Sequence, residues 1–580
     1  MKATNHEISE AFFRIGELLS LSGANAFRVR AYNRAAETIE GLPKDLAAVY
    51  QAGGLFALKE IPGVGEDISL KIEEMLKTGK LAFMRDLEKQ VPSGLLEILS
   101  IEGMGPERTR FVWQQFRVKD MKSFEKLLKL DKLLSAKGWG TRSVANITRA
   151  IEIHKGFGGR VALPIAWKLA QNMAAALKKS GLCHEVEVAG SVRRMKETVQ
   201  DIDILVTTNK PTKVADFFVE LPEVDEVIGK GPTKTTVRLK GGLHADLRVL
   251  RPNEFGAGLY YFTGSKEHNV AVREAAVRDG ITISEYGVYR GTKNKKVKLL
   301  AAETERKVFH ALDMHYIEPE LRENRGEVEA ALKNKLPHLI KVSDIAGDLH
   351  SHSTYSDGVD TMLAMAQAAK DAGLKYLAIT DHSSQMGMVK GIKDKTVGEY
   401  LKKIAAVREK ISGIEILAGT EVDILEDGSL YLSDAALKKL DWVVASVHSN
   451  FRQIEEKMTK RIIKAINNPY VRMIGHPTTR LLGKRAPVVF DMASVCKAAK
   501  ENGVALEVSA SPFRLDLDDV HARQAKEAGV LLAISSDAHG VDQFDFTFGV
   551  GQARRGWLEK GDVINTMPWG EFQKFLKRKR

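Results

Sequence analysis

From residue 346 onward the chain repeats one unit, a short β-rich run followed by a helical pattern, seven times. The runs span 345–352, 376–382, 415–424, 442–448, 471–476, 504–509 and 530–539. Seven βα units predict a distorted seven-stranded barrel related to the eight-fold (β/α) type, where chemistry gathers at the carboxyl ends of the strands. The candidate ligands fall there. His350 and His352 stand two apart at the first end, Asp357 follows in the loop, and His382, Glu421, His448 and His476 close four successive runs. Asp537 and His539 repeat the two-apart spacing on the last. One such histidine is usually a capping or solvated residue. Six histidines and three acids at six of seven strand ends predict a metal cluster, and mixed imidazole and carboxylate donors suit Mn²⁺ or Zn²⁺ when no redox step is needed. A cluster of up to three ions can activate water at neutral pH and hold a phosphate.

A second constellation lies at residues 190–205, GSVRRMKETVQDIDIL. Polar and apolar side chains alternate around Asp201 and Asp203, so on a strand both carboxylates face the same way and can hold hard cations. Ten residues earlier an extended run with Val186 and Val188 ends at Gly190-Ser191, followed by Arg193 and Arg194, which offers backbone N–H groups and guanidinium to a polyphosphate. In residues 244–250, HADLRVL, the alternation recurs with Asp246 in phase to sit beside the first pair on an adjacent strand. Three carboxylates beside a phosphate cradle suit phosphoryl transfer with two cations, Mg²⁺ or Mn²⁺.

The first quarter of the chain reads as helices and holds three Gly-x-Gly turns, Gly63-Val64-Gly65, Gly103-Met104-Gly105 and Gly138-Trp139-Gly140, each opening a helix. Such a turn lets backbone approach a phosphate while the helix N-terminus points N–H groups at it. Threefold recurrence favours sequence-independent tracking of a nucleic-acid backbone. The formal net charge of +12 agrees with a polyanionic partner. At 580 residues, 44% of them hydrophobic, several domains are expected. The start of the chain lacks an uninterrupted apolar run, which predicts no membrane association and a cytoplasmic protein. Cys183 and Cys496 belong to no metal or disulfide spacing.

These residues carry a resemblance to two known families. Gly190-Ser191 with Asp201, Asp203 and Asp246 resembles the palm of family X DNA polymerases, the group that includes polymerase beta, and Tyr261-Phe262-Thr263-Gly264-Ser265 resembles that family's sugar-lining YFTGS motif. The resemblance implies nucleotide contacts at Gly190, Ser191, Arg194, Tyr261, Phe262, Gly264, Asn269 and Arg273. Val199 and Gln200 depart from polymerase beta, where a hydroxyl residue and a glycine stand. HSHSTYSDG, ITDHS, GTEVD, SVHSNF, GHPTTR and SSDAHG resemble the polymerase and histidinol phosphatase (PHP) domain, and Arg480 and Arg514 fit phosphate-holding side chains near its mouth. The N-terminal residues resemble a 5′-phosphate-binding lyase domain, with Arg28 and Tyr32 toward DNA and Lys71 where relatives carry a Schiff-base lysine. Asp67 stands where strong lyases have a lysine, so Lys71 reads either as that nucleophile or as a surface lysine.

The expected fold is multidomain α/β: a helical 5′-phosphate domain over 1–85, a fingers-type helix-hairpin-helix domain over 86–154, a mixed-sheet nucleotidyltransferase palm over 155–255, a thumb over 256–316, a linker over 317–345 and the PHP barrel over 346–580. The resemblance implies a bacterial DNA-directed DNA polymerase that fills short gaps in base excision repair. It implies a C-terminal 3′–5′ exonuclease as well, with abasic-site cleavage and 3′-phosphate removal as further activities. Its partners would be gapped or primer–template DNA and deoxynucleoside triphosphates, and it would act as a monomer at the nucleoid. Template-independent nucleotide addition, and a phosphatase barrel joined to a non-catalytic DNA-binding half, remain as alternatives.

Overall fold

A computed structural model describes residues 3, 5–40, 42, 46–61, 63–99, 101, 104–128, 130–133, 136, 139–140, 144, 147–148, 160–240, 242–292, 295–383 and 391–577. They fall into two compact units, 1–156 and 157–580. The first is helical, as the apolar spacing predicts. Its glycine turns share one geometry. The carbonyls of Gly65, Gly105 and Gly140 accept from the N–H groups of Ser69, Thr109 and Val144 at 2.9, 2.9 and 3.1 Å. Val64, Met104 and Trp139, each just before its glycine, are buried anchors whose N–H bonds the carbonyl three residues back. Gly65 and Gly105 cap the helices Glu66–Thr78 and Pro106–Phe116 and contribute no side-chain cap bond, which leaves the helix N-termini the geometry that suits an anion. Gly103 and Gly138 lie outside the described residues.

In the second unit a five-stranded mixed sheet is built from β1 (Glu185–Val188), β2 (Asp201–Thr207), β3 (Val224–Lys230), β4 (Lys234–Leu239) and β5 (His244–Leu250), in the order β1-β2-β5-β4-β3. Only β2 and β5 run parallel, and their register sets Asp201 opposite His244 and Asp203 opposite Asp246. The next layer holds the helices Phe255–Thr263 and Lys266–Arg278, the latter capped by the Ser265 hydroxyl, which accepts from His268 N–H at 3.1 Å. A three-stranded antiparallel sheet follows, β6 (Ile281–Ser284), β7 (Gly287–Thr292) and β8 (Lys295–Ala301). Residues 317–345, read from sequence as a linker, are packed into this layer. Ile317, Leu321, Val328, Ala331 and Leu339 join its core, and fully buried Arg322 pairs with Glu305 at 2.7 Å.

The seven strands expected of the barrel are present: β9 (Gly347–Asp348), β10 (Tyr376–Ile379), β11 (Glu415–Asp423), β12 (Trp442–Ser446), β13 (Met473–Ile474), β14 (Ala505–Ser509) and β15 (Leu532–Ser535), parallel and in chain order. A parallel bridge between Ser351 and Ala538 brings the end of the first strand back to the last. The C-terminal helix Trp569–Leu576 seals the amino ends, where Phe572 stacks on Tyr376 at 4.7 Å. The opposite end stays open to the ligands. Among the described residues no helix is long and apolar enough to cross a membrane.

Candidate active sites

The first site is a cleft of about 600 Å³. Gly190, Ser191, Arg194, Asp201, Asp203, Tyr261, Phe262, Gly264, Asn269 and Arg273, separated by up to 83 positions in sequence, all line it. Gly190 opens the short helix Gly190–Arg193 with φ 61°, a conformation that favours glycine. A Cβ there would also run into the Asp203 carboxylate. The phosphate turn and the metal face are therefore in van der Waals contact.

Asp203 is the most confined of the three carboxylates. Burial, then the charges of Asp201 and Asp246, push its pKa up to about 7. Asp246 accepts from the Thr236 hydroxyl at 2.6 Å and pairs with Lys234 at 2.8 Å. Three carboxylates crowded until one resists ionisation form a donor set that fits hard cations. Arg194 is less free than its expected role requires: its guanidinium donates to the Thr263 carbonyl at 2.6 Å and to Glu323 at 3.0 Å. Asn269 donates to the Tyr261 carbonyl at 2.8 Å and so braces the YFTGS helix end, while Arg273 donates to the Asn269 carbonyl of its own helix at 3.0 Å.

The second site sits at the carboxyl end of the barrel, where all nine predicted ligands converge. Their donor atoms form four overlapping groups: His352, Asp357, His382 and His539; His350, His352 and Asp537; His350, Glu421 and His476; His382, Glu421 and His448. Glu421 is the hub, with His476 Nε2 and His382 Nδ1 each 2.9 Å from its oxygens and His448 Nε2 at 3.2 Å. Burial disfavours its charge, but His448, His350 and His382 outweigh that and hold Glu421 well below the carboxylate range. Burial also drives His352 and His476 down to about 3, leaving both imidazoles neutral and able to donate lone pairs. The ring nitrogens of His352 and Nε2 of His350 are buried without hydrogen-bond partners. Orphaned donors of this kind fit a metal cluster. His476 and Asp537 have positive φ, 28° and 54°, and such left-handed backbone is a strain that clusters at functional sites.

Two supporting carboxylates escaped the sequence reading. Glu507 lies 2.8 Å from His350 Nδ1 and accepts the His476 N–H at 2.5 Å, and Asp423 lies 2.7 Å from His448 Nδ1. Each fixes a ring so that Nε2 faces the centre. Glu507 was visible as the one acid inside the apolar run ALEVS. A hollow of about 520 Å³ opens beside the cluster, lined by Phe513, Arg514, Asp537, His539, Gln543 and Phe548 among others. Arg514 stands as expected, 3.2 Å from Asp537. Arg480 does not. It is buried, donates to the carbonyls of Arg514 and Leu515 and pairs with Glu197 at 2.7 Å, so it ties the barrel to the segment between the helix Gly190–Arg193 and β2 and does not line the hollow.

In the helical unit Lys71 is not a surface lysine. Its side chain is 12% exposed, its ammonium lies over the rings of Phe83 and Tyr32 at 4.9 and 5.9 Å, and it pairs with Asp67 at 2.5 Å. Tyr32 donates to the same carboxylate at 2.9 Å. Arg28 lies over Phe83, 5.1 Å from its centroid. Asp67 thus bonds both Tyr32 and the amine, holding Lys71 in an ion pair beneath the aromatic rings.

Comparison with known proteins places the chain's parts among known families. The helix-hairpin-helix domain matches residues 3–81, the DNA polymerase beta thumb 258–323 and the PHP domain 348–511. The chain is 34% identical over 568 residues to the DNA polymerase/3′-5′ exonuclease PolX of Bacillus subtilis, covering 97% of this chain and 98% of the relative. A probable phosphatase of Thermoanaerobacter sp. is 36% identical over 246 residues, 40% of this chain and 95% of that protein. A probable phosphatase of Caldanaerobacter subterraneus is 37% identical over 212 residues, 34% of this chain and 79% of that protein.

Proposed function

Because the chain belongs to the family X DNA polymerases that carry a C-terminal PHP domain, we propose that it fills short gaps in DNA during repair and trims 3′ ends with its PHP domain. What carries this reading is the presence on one compact unit of two complete sites, the three-carboxylate cleft and the nine-ligand cluster. The substrates are gapped or primer–template DNA and deoxynucleoside triphosphates, and the chain works as a monomer in the bacterial cytoplasm, at the nucleoid. In the cleft, Asp201, Asp203 and Asp246 hold two Mg²⁺ or Mn²⁺ ions. The N–H groups of the turn at Gly190 and Ser191, together with Arg194, take the triphosphate, and Tyr261 and Phe262 flank the sugar. In the barrel, the nine ligands hold up to three Mn²⁺ or Zn²⁺ ions, and Arg514 holds the scissile phosphate. Bound metal would supply Lewis acidity and activated water in the barrel and would lower the pKa of the primer hydroxyl in the cleft. The PHP site also serves abasic-site cleavage and 3′-phosphate removal. Lys71, ion-paired with Asp67, is a weak lyase nucleophile or none.

The test is a 5′-labelled primer in a one-nucleotide gap with a downstream 5′-phosphate, incubated with Mn²⁺ with and without the four deoxynucleotides. Template-directed lengthening with nucleotides and shortening without them support both activities. Shortening alone sinks the polymerase half and favours the phosphatase reading. Lengthening that ignores the template favours template-independent addition.

A further inference from the structure

The turn that follows the phosphate helix is held by the barrel. Helix Thr547–Arg555 of the barrel reaches the backbone just beyond the helix Gly190–Arg193, and two of its side chains bind two consecutive carbonyls there. Arg555 donates to the Arg194 carbonyl at 2.8 Å, and Gln552 donates to the Met195 carbonyl at 2.9 Å. Beside Gln552, Gly551 packs so closely on Met195 that a Cβ would lie 2.7 Å from its methyl carbon. Met195 itself has φ 54°, a left-handed backbone that a methionine rarely takes without outside support. Arg555 also donates to Glu323 Oε1 at 2.9 Å, the same oxygen that accepts from the Arg194 Nε. Its other amine pairs with Asp519 at 2.7 Å. Burial opposes the charge on Glu323, yet Arg555 and Arg194 hold its carboxyl down at about 2, so the three charges act as one buried network.

We infer that Gln552 and Arg555 of the PHP barrel are positioning residues for nucleotide binding in the palm. They set the backbone of the Arg194-Met195 turn and, through Glu323, the place of the Arg194 guanidinium. This rests on the proposed polymerase activity and on Arg194 meeting the triphosphate. The consequence is that the nuclease domain braces the polymerase's nucleotide pocket from behind. Arg194 exchanges Glu323 for the triphosphate when nucleotide binds, and Arg555 keeps Glu323 compensated while it does so. A buried carboxylate losing one of two cations remains satisfied, which lowers the cost of that exchange.

The experiment measures the deoxynucleotide KM and kcat for one-nucleotide gap filling in the full chain and in Gln552→Leu and Arg555→Lys. Hydrolysis of bis(p-nitrophenyl) phosphate with Mn²⁺ by the same preparations reports the barrel. Loss of one positioning hydrogen bond corresponds to a rise in nucleotide KM of about five-fold, with phosphodiester hydrolysis held within about two-fold. Gln552→Leu removes no charge, so it keeps the inference falsifiable if Arg555→Lys fails to fold. An unchanged nucleotide KM in Gln552→Leu overturns the inference. So does a parallel fall of both activities, which marks a general brace. A wild-type chain that neither extends the primer nor binds nucleotide by calorimetry overturns the polymerase reading, and the inference with it.

Discussion

Asp203 and Asp246 stand opposite each other on adjacent parallel strands, β2 and β5, while a Cβ on Gly190 would strike the Asp203 carboxylate. The phosphate turn, the metal face and the sheet register are thus one piece of geometry. Replacing Asp203 by Asn removes one of the three carboxylates proposed to hold cations, without changing volume. Several kcal/mol of charge stabilisation depend on it, so primer extension should fall by about a thousandfold. Mn²⁺-dependent shortening of the same primer should persist.

The position of Asp203 also fixes a pH dependence. Its folded pKa, raised to about 7, lies above the ordinary carboxyl value, so the stability it contributes is complete at low pH and is lost as pH rises through about 7. A cation in the cleft replaces the missing proton. Adding Mg²⁺ should therefore raise the melting temperature of the chain more at pH 8 than at pH 6. An equal shift at both values would place the ion elsewhere.

Glu507 orients His350 and the His476 backbone without being a predicted ligand. Glu507→Gln keeps the volume and loses the charge, and metal affinity at the barrel should drop roughly 10- to 100-fold. Titration of the apo chain with Mn²⁺ or Zn²⁺ reads this directly, and polymerase extension should be unaffected.

Phe513 is 67% exposed on the wall of the hollow beside the cluster, one residue from Arg514. With Arg514 holding phosphate as proposed, an exposed aromatic beside it would offer a stacking platform to a terminal base, worth about 1–3 kcal/mol. Phe513→Ala should raise the KM for 3′-end shortening about ten-fold while sparing hydrolysis of a small phosphodiester. Equal losses on both substrates would assign the ring to the fold.

Gly105 has φ −84° and open space where a Cβ would go. Nothing in the fold demands glycine, so Gly105→Ala should cost less than about 1 kcal/mol in stability. Its bare helix N-terminus suits a phosphate, and duplex DNA affinity should weaken several-fold at low salt.

The barrel and the convergence of its nine candidate ligands were legible because strand-helix alternation and histidines at strand ends are local patterns. Asp246 was placed by the same two-residue alternation that makes Asp203 face it. What escaped was set by contacts with no local signature. Arg480 reads as a phosphate ligand beside its motif, yet pairs with Glu197, nearly three hundred positions earlier. Lys71 lies one helical turn from Asp67, but only the fold brings Phe83 and Tyr32 over its amine. Residues 317–345 look like a connector by composition, while Arg322 and Glu305 bury a charge pair that fastens them.

That packed segment bears on traffic between the two sites. With residues 317–345 joined to the thumb core and the barrel helix Thr547–Arg555 bound to the Arg194-Met195 turn, palm and barrel share one frame. Under the proposed function, a primer end that is trimmed must therefore leave the cleft and cross to a mouth held in the same frame, so the strand and not the domain is what has to move.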